Sequence, residues 1–138
     1  MKILVDTNIL IDYVSKRDPF TEKARSVLLL CMEKQVDGCI AAHSVMNAFY
    51  ILRKELSDAE RKNFLLDMCS FLAVIGIDKS RIVSALRNES FSDVEDCLQA
   101  ECAAAFSADY IVTRNIKDFE NSEIPAIMPD KFLEMFKQ

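Results

Sequence analysis

Short apolar runs alternate with longer stretches of helical period along the chain. Lys2 to Val5, Cys39 to Ala42, Ala73 to Ile77, Tyr110 to Thr113 and, more weakly, Ala126 to Met128 read as buried strands. Between them, apolar positions recur at three- and four-residue spacing over Ile9–Val14, Thr21–Lys34, Val45–Leu56, Ala59–Leu72, Lys79–Arg87 and Val94–Phe106. Start signals support several of these helices. Ser57 with Glu60, and Ser92 with Glu95, have the spacing of capping boxes. Ser44 stands where it would cap the third helix, which puts Asn47 at the box's acidic position. Pro19 and Pro129 each lie just before or at the start of a helical stretch, and "PDKFLEMFKQ" reads as a short terminal helix.

Strands separated by helices predict βαβ units. The expected fold class is therefore α/β: one domain over residues 1–138, an α/β/α sandwich around a central, mostly parallel five-stranded sheet. Ligands of such sheets bind outside the carboxyl ends of the strands, at a topological switch point. Asp6 directly follows the first strand, and Thr113-Arg114-Asn115 follows a later one. Both fall where that rule puts a site.

Composition narrows the chemistry. At 138 residues, 51% hydrophobic and 28% charged, the chain is an ordinary globular sequence. No apolar run approaches the roughly 20 residues that span a bilayer, and no signal peptide is visible, so a cytoplasmic protein without membrane contact is expected. Five cysteines form no C-x-x-C pair and sit among apolar residues, which favours core packing over a disulfide scaffold or zinc site. Only two glycines, Gly38 and Gly76, are present, which excludes glycine-rich phosphate loops. The formal charge of −5 argues against a broad basic groove for nucleic acid but does not exclude an enzyme that meets phosphate through a metal.

Three stretches carry chemistry. In "LVDTNILID", Asp6, Thr7 and Asn8 are all competent helix caps, so Asp6 has either a capping role or a free carboxylate at the mouth of a buried strand. In "SDVEDCLQAECAAAFSADYIVTRN", Asp93 and Asp96 share one helix face. The helix macrodipole accounts for acidic residues in a first turn, but the stripe of Asp96 runs on into Ala100, Ala103 and Ala104, the mark of an inward face. The third stretch is "SVMNAFYILRK", with Asn47 near a strand end. His43 beside Ser44 lacks the glycines of a nucleophile elbow. The Arg53-Lys54 and Arg61-Lys62 pairs read as solvated charges, and Phe49, Tyr50 and Phe64 as core or dimer contacts.

Taken in order, "LVDTNILIDY", "SVMNAFYILRK" and "DCLQAECAAAFSADYIVTRNIKDF" resemble a PIN domain, the fold of metal-dependent ribonucleases that includes VapC-like toxins of bacterial toxin–antitoxin pairs. The resemblance spans roughly Ile3 to Phe119. It implies hydrolysis of RNA phosphodiester bonds at a cluster of acidic side chains around Mg²⁺ or Mn²⁺. It places Asp6 and Asp96 at two of the four usual acidic positions, with Asn47 and Asn115 at the other two. Asp6 and Asp96 then become metal ligands, with Asp93 and Asp118 in reserve; two negative charges balance one ion. Asn47 and Asn115 would orient water or phosphate, and Asn8, Thr113 and Arg114 would contact substrate. An antitoxin partner and a homodimer are further implications. The two amides also admit a weakened or inactive PIN-like module that binds RNA or protein.

Overall fold

A computed structural model describes residues 1–136. Its five strands are β1 (Lys2–Val5), β2 (Asp37–Ala41), β3 (Ala73–Ile75), β4 (Tyr110–Val112) and β5 (Ala126–Ile127). They form one sheet in the order β3-β2-β1-β4-β5, and all four pairings are parallel. The helices are α1 (Thr7–Val14), α2 (Thr21–Met32), α3 (Ala42–Ile51), α4 (Asp58–Phe71), α5 (Lys79–Arg87), α6 (Val94–Ala105) and α7 (Pro129–Glu134). The expected terminal helix thus ends at Glu134, and its last two residues lie outside the described chain.

Side chains alternate across the sheet with period two. Ile3 and Val5 of β1 join the core beneath α1, α2, α4 and α7, with Val27, Leu28, Met68 and Phe132. Leu4 points the other way and packs with Ile111, Ala100, Cys102 and Ala103 under α6. Ala100 and Ala103 let α6 lie close on the sheet, whereas Ala104, expected on the same face, is half-buried and outside this core. Beyond it, Ala85 of α5 meets Cys97 and Leu98 of α6. On the opposite face β2 passes tightly beneath two helices. A Cβ on Gly38 would lie 2.6 Å from Sγ of Cys31 and 2.7 Å from Cδ2 of Leu72, so any larger residue would have to push both side chains aside.

The helix starts show where local sequence rules hold. Ser57 and Glu60 form the reciprocal capping box expected of them. Ser92 does not cap α6. The cap is Asp93, whose Oδ1 accepts from the backbone N–H of Asp96 at 2.9 Å. Nor does Ser44 cap α3. That helix leaves β2 without a loop, Ala41 takes the cap position, and Ser44 is buried one turn inside with Oγ unpartnered. Asn47 therefore sits in the second turn of α3 and is not a capping partner.

Candidate metal and phosphodiester site

The strand order makes β1 and β4 neighbours although 104 residues lie between the end of one, Val5, and the start of the other, Tyr110, and this is where the order of connection reverses. Period two then dictates the rest. Asp6 continues the side of Leu4, and Thr113 continues the side of Ile111, so both point toward α6. The backbone N–H of Asp6 closes this junction by donating to Val112 O at 3.1 Å.

Asp6 is 4% exposed. It stands at the cap position of α1, yet its side chain makes no cap hydrogen bond. Its oxygens are held from elsewhere. Oδ1 accepts from Nε2 of Gln99 at 3.0 Å, and Oδ2 accepts from the Thr113 hydroxyl at 2.8 Å. Burial raises its pKa above the ordinary carboxylate value; the Gln99 and Thr113 donors, with smaller help from the Thr7 and Asn8 N–H groups, pull the other way. The capping alternative for Asp6 is thereby set aside, because its carboxylate is turned toward α6.

Asp96 is half-buried on α6, and its pKa is pushed up to about 7. Desolvation is the largest cause, followed by the like charges of Asp93, Asp6, Asp118 and Glu95 in that order. The carboxylates of Asp6, Asp93, Asp96 and Asp118 therefore share one electrostatic neighbourhood. Asp93 is partly committed to capping α6, and Asp118 is exposed on the 3₁₀ turn Ile116–Phe119.

The remaining expected residues spread around this centre. Asn47 donates from Nδ2 to Oε2 of Glu95 at 2.9 Å, while Nε2 of His43 meets the Glu95 carbonyl at 3.0 Å. Together these contacts tie the start of α6 to α3. The Thr113 hydroxyl also accepts the backbone N–H of Asn115 at 2.9 Å, which fixes the loop after β4. Asn115 itself is exposed there, and Asn8 is half-buried in the first turn of α1. Arg114 turns away from the acidic centre. Its Nε and Nη2 donate to the two oxygens of fully buried Asp12 at 2.6 and 3.1 Å, and its guanidinium lies 3.9 Å from the centroid of the Phe20 ring.

Three residues of this arrangement escaped sequence reasoning: Gln99, Glu95 and Asp12. Gln99 lies one turn beyond Asp96 on the same face, and that spacing was the available signal. For Asp12 the signal was a charged residue inside the apolar run "NILIDYV".

A family model described as "PIN domain" matches residues 2–117. The chain belongs to the PIN domain family. No curated protein matches it in sequence. Among solved structures, this PIN domain is similar to a toxin–antitoxin complex from Klebsiella pneumoniae, with TM-score 0.68 and 25% identity over 92% of this chain and 97% of the other. It is also similar in fold to VapBC2 from Rickettsia felis bound to a promoter DNA fragment (TM-score 0.67, 20% identity, 93% and 98% covered). A third similar fold is Mycobacterium tuberculosis VapC20, a Sarcin-Ricin loop cleaving toxin (TM-score 0.63, 11% identity, 79% and 86% covered).

Whether the PIN domain's acidic centre suits a divalent ion can be judged from its donors. Among the described residues no group of three or more His, Cys, Asp or Glu side chains is placed to hold a metal ion by itself. What the centre offers is oxygen: the carboxylates of Asp6 and Asp96, and the Gln99 carbonyl oxygen, which is buried without a partner. An open, all-oxygen set with crowded negative charge fits a hard cation that keeps much of its own water. It does not fit a soft, thiolate-bound one, since Cys31, Cys39, Cys97 and Cys102 are free thiols buried elsewhere in the core.

Proposed function

We propose that this PIN domain is a divalent-metal-dependent endoribonuclease that hydrolyses RNA phosphodiester bonds as the toxin of a toxin–antitoxin pair in the cytoplasm. The observation that carries the reading is the Asp6 carboxylate, buried at the β1/β4 switch point, clamped by Gln99 and Thr113 and faced by Asp96. Asp6 and Asp96 would hold one Mg²⁺ or Mn²⁺, with Asp93 and Asp118 in reserve in the same electrostatic neighbourhood. When bound, the cation supplies Lewis-acid polarisation of a phosphoryl oxygen and a more acidic water.

The protein's own groups do the positioning. Thr113 holds Asp6 with its hydroxyl proton and the following loop with its lone pair, so Asn115 is presented to substrate from a fixed turn. Asn47 reaches the centre through Glu95 and orders the start of α6; its role is to orient, since an amide adds no charge. Asn8 is placed to meet a phosphate or water from the first turn of α1. Arg114 and Thr113, both expected to contact substrate, are instead engaged within the protein: Arg114 locks the loop after β4 through Asp12, and Thr113 is buried against Asp6. The toxin reading and the expectation of an antitoxin partner draw on the similar complexes from Klebsiella and Rickettsia, whereas the homodimer is an expectation of the family resemblance alone. The RNA substrate draws on the family and on the loop-cleaving Mycobacterium neighbour.

The test is RNA cleavage by purified protein with Mg²⁺ or Mn²⁺, alongside Asp6→Asn and Asp96→Asn. Each substitution removes one negative charge from the metal's surroundings and is expected to lower the rate by at least 100-fold. Equal, metal-independent background in all three proteins would overturn the enzyme and leave a binding module.

A further inference from the structure

Gln99 joins the two halves of the acidic centre. It is only 3% exposed and lies on the same face of α6 as Asp93 and Asp96, three residues apart in turn. Its Nε2 donates to Oδ1 of Asp6 at 3.0 Å. The opposite amide orientation would set Oε1 against a carboxylate oxygen, acceptor against acceptor, so this bond fixes the side chain's sense. Oε1 is then left buried with no partner. The two ends of one amide are about 2.2 Å apart by bond geometry, so Oε1 lies within about 5 Å of Asp6 Oδ1. A leucine or methionine would fill similar space without an orphaned acceptor, and packing alone gives no reason for glutamine here.

We infer that Gln99 is a positioning residue of the metal centre. Its amide NH₂ fixes the Asp6 carboxylate from the helix that carries Asp96, and its carbonyl oxygen is a neutral acceptor for the hydrated cation. This rests on the metal-dependent reading above. The orphaned oxygen is explained by it, since metal-bound water is a strong donor that only the loaded state supplies.

The 138-residue chain is titrated with Mn²⁺ alone, followed by calorimetry and electron paramagnetic resonance, as wild type, Gln99→Met and Asp6→Asn. Gln99→Met is expected to weaken Mn²⁺ binding by about 10- to 100-fold while far-UV circular dichroism shows the metal-free fold intact. In the wild-type protein, the side-chain ¹⁵NH₂ signals of Gln99 are expected to shift on saturation with Mg²⁺, a readout that needs no variant. If wild type and Gln99→Met bind Mn²⁺ equally and Asp6→Asn does not, the inference fails and the nuclease reading stands; Gln99 signals indifferent to Mg²⁺ in a protein that binds it overturn the inference in the same way. A wild-type protein that binds no Mn²⁺ removes both.

Discussion

At the scale of single residues, Asp96 concentrates the electrostatic strain of the site. Its pKa rises from 3.8 to about 7 on folding, through burial and the neighbouring carboxylates. Between those values the native state holds a proton that the unfolded chain has already released, so stability falls as pH rises through that window. Asp6 is shifted in the same direction. Calorimetric melting from pH 4 to pH 8 in metal-free buffer is expected to show a declining melting temperature. In Asp96→Asn that slope becomes shallower, Asp6 supplying what remains, and above pH 7 the variant melts higher than wild type. A wild-type profile that rises over this range would show that the carboxylates do not crowd one another. Sequence alone marked Asp6 and Asp96 as notable because one ends a buried strand and the other heads a stripe of alanines. How strongly they interact was not legible, since burial and separation are properties of the assembled fold.

Among elements, the contact between α1 and the loop after β4 depends on Asp12 and Arg114. Asp12 is fully buried, and both its oxygens accept from a guanidinium that is itself 21% exposed. Removing one partner of such a pair leaves the other charge poorly solvated, which costs about 3–5 kcal/mol. Asp12→Ala is therefore expected to lower the unfolding free energy by about 3 kcal/mol, near the lower end because Arg114 reaches water. Urea denaturation measures it, and a loss below about 1 kcal/mol would reduce the pair to a surface contact. The elements also show which local rules survive assembly. The box at Ser57 and Glu60 was readable because four consecutive residues satisfy one another. At α6 two adjacent residues could cap, and Asp93 takes the role from Ser92 where α6 turns Asp96 and Gln99 toward the sheet. At α3 the strand runs straight into the helix, so Ser44 falls past the cap position it was expected to hold. Gln99, Glu95 and Asp12 stayed hidden for the same reason: each is defined by a partner 48 to 102 residues away.

At the scale of the molecule, the fold brings together carboxylates as far apart in sequence as Asp6 and Asp96, in a protein whose formal charge is already −5. Apolar packing on both faces holds β1 and β4 side by side whether or not the charges favour it. The fold thus keeps a repulsive centre in place, and a ligand that neutralises the centre should stabilise the whole domain. A ligand at 100 times its dissociation constant, bound only by the native state, adds about 2.7 kcal/mol, which for a domain of this size corresponds to roughly 10 °C in melting temperature. Saturating Mg²⁺ at neutral pH is expected to produce a rise of that order. Sodium chloride of equal ionic strength should give a much smaller one, because screening is weak for buried and half-buried charges. The rise should be largely absent in Asp6→Asn and Asp96→Asn, each of which removes one of the proposed charged ligands while leaving the apolar layers untouched. An equal rise with sodium chloride, or one undiminished in both variants, would mean that Mg²⁺ acts on the diffuse surface charge. The two carboxylates at the switch point would then be held together by packing alone.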